Sequence, residues 1–139
     1  MIVILAIDDI GGMMFHGRRQ SSDRALRKKI LHITKEKKLW MNSYSAKQFV
    51  ETEGKEQLMI VEDFLLKAED GDYCFVENVP LLSLDKMEQI ILFKWNRRYP
   101  NDFCFDMKKL EQEWKMNKQE EFAGFSHEKI TMEVYCREN

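Results

Sequence analysis

Asp23 sits in SSDRALRKKI, residues 21–30, at the start of an amphipathic run. A carboxyl group in that place has two uses. Buried beside a bound heterocycle, with its pKa raised by burial, it can deliver a proton. In the first turn of a helix it complements the helix dipole and needs no substrate. Asp8 and Asp9 end the apolar run IVILAIDD, and strand ends are where open α/β sheets collect ligands. With Asp23 and Asp102 they would suit Mg²⁺ if the fold gathered all four. Adjacent aspartates at a strand end are also turn formers, and no metal is expected. YCFVENVPLL, residues 73–82, stops a buried run on Glu77 and Asn78. A phosphate-binding protein needs bare glycine backbone at such a point. A carboxylate repels phosphate and fills its space.

Arg18, Arg19, Arg24, Arg27 and Lys28 are candidates to hold an anion or RNA, with His16, Trp40 and Tyr44 as stacking surfaces. The alternative is a solvated helix face with a basic loop. Residues 16–38 carry nine Lys/Arg against two acids, whereas residues 51–90 carry eleven acids against three lysines. That asymmetry describes the surface field. It fits an anionic partner, a homodimer joined basic face to acidic face, or two solvated faces. His16, His32 and His127 are isolated and read as surface or capping residues. None stands at zinc-ligand spacing, so a ribonuclease Z assignment, which needs a pattern like HxHxDH, has no support.

The elements must now position these groups. The chain has 139 residues, 44% of them hydrophobic, enough for one domain over 1–139 with a real core. No apolar run reaches the roughly 18 residues that span a bilayer. The start lacks the basic segment of a signal peptide. Three scattered cysteines, Cys74, Cys104 and Cys136, read as reduced core thiols in a cytoplasmic protein. Residues 2–8 form a strand buried on both faces, and DDIGGMMFHGRRQSS a long loop. Ser21, Ser22 and Asp23 start a helix to about Thr34, with Ala25, Leu26, Ile30 and Ile33 inward. KKLWMN is a strand, SYSAKQFVET a short helix, QLMIVED a strand and FLLKAEDGD a helix. YCFVEN is the next strand. VPLLSLDKME follows as a helix with Pro80 in its first turn, then QIILFKWNRRYP as a long strand and DFCFD as a short extended piece. NRRYPND reads as an exposed turn, and Phe122 and Phe125 as loop anchors. LEQEWKMNKQEEFAG is a helical turn or an edge strand. HEKITMEVYCRE alternates as a half-buried final strand.

This order, with these residues, resembles dihydrofolate reductase nearly end to end. AIDDIGGM is similar to the first strand and mobile loop, with Asp8, Gly12 and Met13 in place. SSDRALRKKI resembles the first helix and puts Asp23 at the family's catalytic carboxylate. LWMNSYSAKQF, the long 74–106 segment and SHEKITMEVYCRE resemble later elements. The resemblance implies an α/β fold: a mainly parallel central sheet, flanking helices and an antiparallel C-terminal edge. It also implies a pocket lined by Ile4, Ala6, Gly12, Met13, Ser43, Ser45 and Phe93. The departures bear on activity. Met41-Asn42-Ser43 and Ser45 replace a Met-Gly-Arg and Thr that grip a cofactor phosphate. Glu77-Asn78 replace a Gly-Gly pair, Arg18-Arg19-Gln20 a Pro-Trp, and Phe93 a substrate-holding Thr. The expectation is a kept fold without NADPH or any other cofactor, taking a small molecule or self-associating, with no membrane partner. An RNA-associated protein or nuclease using the 16–38 face, and a divergent NADPH-dependent reductase, are the alternatives.

Overall fold

Alternate residues of β1 (Ile2–Ile7) face two different cores. Val3, Leu5 and Ile7 join one buried cluster with Phe64, Val76, Leu92 and Leu110. Ile4 joins the other, with Leu26, Ile30, Leu39, Phe75 and Phe93. This is why the strand reads as an unbroken apolar run: neither face meets water. The computed structural model describes residues 1–51 and 53–137.

Further strands are β2 (Gly12–Phe15), β3 (Arg18–Arg19), β4 (Leu39–Met41), β5 (Leu58–Ile60) and β6 (Tyr73–Phe75). They continue with β7 (Gln89–Lys94), β8 (Phe103–Cys104), β9 (Trp114–Phe122) and β10 (Ile130–Arg137). The main sheet has the order β5-β4-β6-β1-β7-β10-β9. Its first five strands are parallel neighbours, whereas β10 runs antiparallel to both β7 and β9. The helices are α1 (Arg24–Ile33), α2 (Ser43–Ala46), α3 (Phe64–Lys67) and α4 (Met107–Glu113). α1 lays Leu26 and Ile30 on one face of the sheet. Phe64 of α3 and Leu110 of α4 cover the other. Burying each of these side chains contributes about 1.5–3 kcal/mol. The fold is the α/β class expected, with helices on both faces.

Local expectations need correction or completion at five places. The long loop after β1 contains a hairpin, β2–β3, that pairs with β8 in a second, three-stranded sheet. Its turn is His16–Gly17, both at positive φ (51° and 73°), the geometry a two-residue hairpin requires. Residues 79–88 form no helix. Asn78, just before the segment, accepts with its side-chain oxygen from Asn42 Nδ2 at 2.8 Å. Residues 107–122 are both of the alternatives, since α4 passes directly into β9. β10 is buried on both faces along most of its length, and β9 rather than β10 forms the sheet edge. Its polar side is satisfied internally: Tyr135 OH donates to Glu133, which also pairs with Lys94. The helix expected over SYSAKQFVET stops at Ala46, and the last residue of that stretch, Thr52, lies outside the described residues.

Gly12 fixes how the first loop leaves β1. A Cβ there would lie 2.5 Å from Asp8 Oδ2, 2.6 Å from Gln20 Nε2 and 2.9 Å from Asn101 Cβ. The Asp8 carboxylate cannot yield easily, being held by several N–H groups. Gly12→Ala is expected to destabilise the fold by about 2 kcal/mol, read as a lower urea midpoint with an unchanged slope.

Candidate functional site

The C-terminal ends of β4, β6 and β1 deliver Asn42, Glu77, Asn78 and Asp8 to one edge of the sheet. This edge is the usual ligand crevice of an open α/β sheet. Here it is spanned by the protein's own side chains. Arg19, brought over on β3, grips Glu77 with Nε at 2.9 Å from Oε2 and Nη2 at 3.2 Å from Oε1. The same guanidinium donates to Tyr44 O at 3.1 Å and lies over the Tyr44 ring at 4.4 Å. Arg19 N donates to Tyr44 OH at 2.8 Å. Beside it Asn42 Nδ2 donates to Asn78, and Asn42 Oδ1 caps α2 through Ser45 N at 3.0 Å. A dinucleotide's diphosphate would meet the Glu77 carboxylate here. It would find no helix N-terminus, because residues 79–88 are irregular.

Asp8 is buried and tied into its own turn. Ile10 N (2.9 Å) and Gly12 N (2.7 Å) donate to Oδ1, and Gln20 Nε2 (2.9 Å) and Tyr99 N (3.4 Å) to Oδ2. Burial pushes its pKa up, but the hydrogen bonds outweigh this and hold it below the ordinary carboxylate value. Asp102 accepts from His16 N. Among the described residues no three His, Cys, Asp or Glu side chains are gathered as for a metal.

Asp23 stands at the first helix, as its sequence context implies, and is 2% exposed. It is the N-cap of α1, with Oδ1 accepting from Ala25 N (2.8 Å) and Leu26 N (3.4 Å). The loop before β10 closes over the same carboxylate. Phe125 N (2.9 Å), Ser126 N (2.9 Å), Ser126 Oγ (3.1 Å), His127 N (3.2 Å) and His127 Nδ1 (2.8 Å) all reach it. Gly124 permits this approach, since a Cβ there would lie 2.5 Å from His127 O and 3.0 Å from Asp23 Oδ2. Arg24 over the Phe125 ring, at 4.7 Å, pins the loop from outside. Burial alone would raise the Asp23 pKa. The donors from Phe125, His127, Ser126 and Ala25 overcome it and hold the group far below the usual carboxylate range.

The far side of the His127 ring completes a chain. Its Nε2 lies 2.9 Å from Ser21 Oγ and 3.1 Å from Tyr99 OH. Trp95 stacks on the ring at 4.5 Å, with the planes 25° apart. His127 and Ser126 also wall a cleft of about 600 Å³ with Trp95, Asn96, Arg97 and Lys129. No local pattern marks this cluster, because Asp23 and His127 are 104 positions apart. The only hints were a glycine and a Ser-His pair just before the last strand.

The other candidates are dispersed. Ile4 and Phe93 are wholly buried in one core cluster, and Met13 lies in the other. Ala6 is partly buried against the first of these, and Gly12 is held at Asp8. Ser43 is exposed and donates its N–H to Glu62. Ser45 is buried, and its Oγ has no partner among the described residues. Of the basic residues, Arg19 is held by Glu77, Arg27 pairs with Glu51 at 2.9 Å, and Arg24 covers Phe125. Lys29 is paired with Glu120. Arg18 and Lys28 are exposed.

No protein-family model matches the sequence, and no curated protein matches it significantly. Among solved structures, the chain superposes on a dihydrofolate reductase from Enterococcus faecalis, determined with NADP(H) and RAB-propyl, with a TM-score of 0.67. The match covers 99% of this chain and 96% of that one at 12% identity. The fold is therefore dihydrofolate reductase-like. Among the described residues no helix is long and apolar enough to cross a membrane.

Because the Asp23 pKa is depressed on folding, its stabilisation is complete above the unfolded value of about 3.9 and lost as pH falls towards the folded one. Asp23→Ala removes a cap and leaves several buried N–H groups without acceptors. It should lower stability by about 3 kcal/mol at pH 7. In urea titrations at pH 7 and pH 3, the gap between the two proteins should narrow at pH 3.

Proposed function

We propose that this chain keeps the dihydrofolate reductase-like fold without NADPH-dependent reduction, and serves as a small-molecule-binding module. The observation that carries the reading is the Arg19–Glu77 ion pair across the strand-end crevice. Glu77 is 8% exposed. Stripping a buried carboxylate of its partner costs about 3–5 kcal/mol. A micromolar ligand has only about 8 kcal/mol of binding free energy in all. A diphosphate that displaced Arg19 would lose much of that, and would then lie against a carboxylate.

Two further features support it. The irregular 79–88 segment offers no helix dipole to a phosphate. Asp23 is held ionised, whereas an acid that protonates substrate near neutral pH needs its pKa raised. The RNA alternative gains little, because Arg19, Arg27 and Lys29 already have carboxylate partners.

Thermal unfolding with and without NADPH tests the reading. A ligand at a hundredfold excess over Kd adds about 2.7 kcal/mol, several degrees for a domain of this size. The expected result with about 1 mM NADPH, a hundredfold over a 10 μM Kd, is no change in Tm. An upward shift of several degrees would overturn it. The same measurement across pterins and nucleotides should then find the ligand class by its shift.

A further inference from the structure

We propose that Ser21, His127 and Asp23 form a nucleophile–base–carboxylate triad that hydrolyses small carboxylic esters. It makes no use of the Arg19–Glu77 pair and holds whether or not NADPH binds at the strand-end crevice. The required contacts are both present, with Ser21 Oγ 2.9 Å from His127 Nε2 and His127 Nδ1 2.8 Å from Asp23 Oδ2. Triads are recognised by geometry and role, since the same arrangement recurs in unrelated chain orders. The roles follow from the surroundings. The Asp23 carboxylate, with the backbone around it already donating, takes the Nδ1–H of the imidazole. That fixes the tautomer whose Nε2 lone pair faces Ser21. Trp95, stacked on the ring, fixes its plane. Asp23 orients the base and takes no proton itself.

His127 is buried, while Ser21 is only partly so. The nucleophile is thus the more accessible end of the chain. A cleft of about 600 Å³, walled by His127, Ser126, Trp95 and Arg97, lies against the base of this triad. Tyr99 OH, 3.1 Å from Nε2, sets a second O–H on the nucleophile's side of the ring.

In the first step Ser21 Oγ bonds to the ester carbonyl carbon, and its proton passes to His127 Nε2. The C–O bond to the leaving group breaks, and that alcohol departs with the proton. Water then attacks the acyl-serine, giving its proton to Nε2. The carboxylic acid is released and Ser21 Oγ regains its hydrogen. No oxidant, metal or cofactor enters the balance.

The test is hydrolysis of 4-nitrophenyl acetate by the full chain, with labelling by a fluorophosphonate probe mapped by mass spectrometry. The natural protein should show turnover above buffer and a label on Ser21. Ser21→Ala and His127→Gln should each lose at least a hundredfold in kcat while unfolding cooperatively. Ser22→Ala, at the exposed neighbour, should keep the natural rate. Ser21→Ala loses one hydrogen bond from a partly exposed hydroxyl, so it remains a folded comparison if the histidine variant does not fold. No turnover by the folded natural protein, an unchanged rate in folded Ser21→Ala, or a label elsewhere would each overturn the assignment. The cluster would then be a structural knot between α1 and β10.

Discussion

A buried carboxylate with seven donors ties the first helix to the approach of the last strand. Asp23 takes two N–H groups from α1, and five donors from Phe125, Ser126 and His127. A buried charge is tolerated when dipoles surround it. Here most of those dipoles are backbone, already ordered by the helix and the loop. The contact joins segments about a hundred residues apart, and so fixes where α1 lies relative to β10. The core under α1, with Leu26 and Ile30 against Ile130 and Met132, depends on that placement.

The second constraint acts at the strand ends. Parallel strands bring Asn42, Glu77 and Asp8 to one edge, and the β2–β3 hairpin lays Arg19 across it. Each polar group then finds a partner within the protein. In a crevice built for phosphate the backbone N–H groups stay free and the side chains are small. Here a guanidinium, an aromatic ring and two side-chain amides occupy the same edge. The fold is of one kind with that of the Enterococcus reductase, and a shared fold leaves function to be argued from the residues at its edge.

What could be read from the residues divides along the range of the interaction. β1, β7 and α1 follow from local patterns, an apolar run or a 3.6-residue period, which depend only on neighbours. The cap at Asp23 was equally local. The 79–88 segment has the apolar spacing of a helix, yet Leu84 and Met87 are buried singly while Leu82 is 88% exposed. Asn78, just before it, is bonded to Asn42 across 36 positions, and no window of sequence contains both. The polar face of β10 misled for a similar reason. Thr131 and Glu133 are buried because Asn96 and Lys94 reach them from β7 and its end. His127 belongs with these: alone in sequence, it gains a partner on each ring nitrogen only through tertiary contact.

The two regions make opposite use of buried polarity. At the strand edge, Arg19 and Glu77 neutralise each other, and an approaching ligand must compete with a finished pair. Around His127 the hydrogen bonds run in one direction, from a saturated carboxylate through the imidazole to a partly exposed hydroxyl. Such a chain ends on a group that can still exchange its partner for a substrate. Rigid elements hold it, with Asp23 on a helix terminus and Trp95 at the end of a central strand, so the ring needs little reorganisation to act. The chain ends on the partly exposed Ser21.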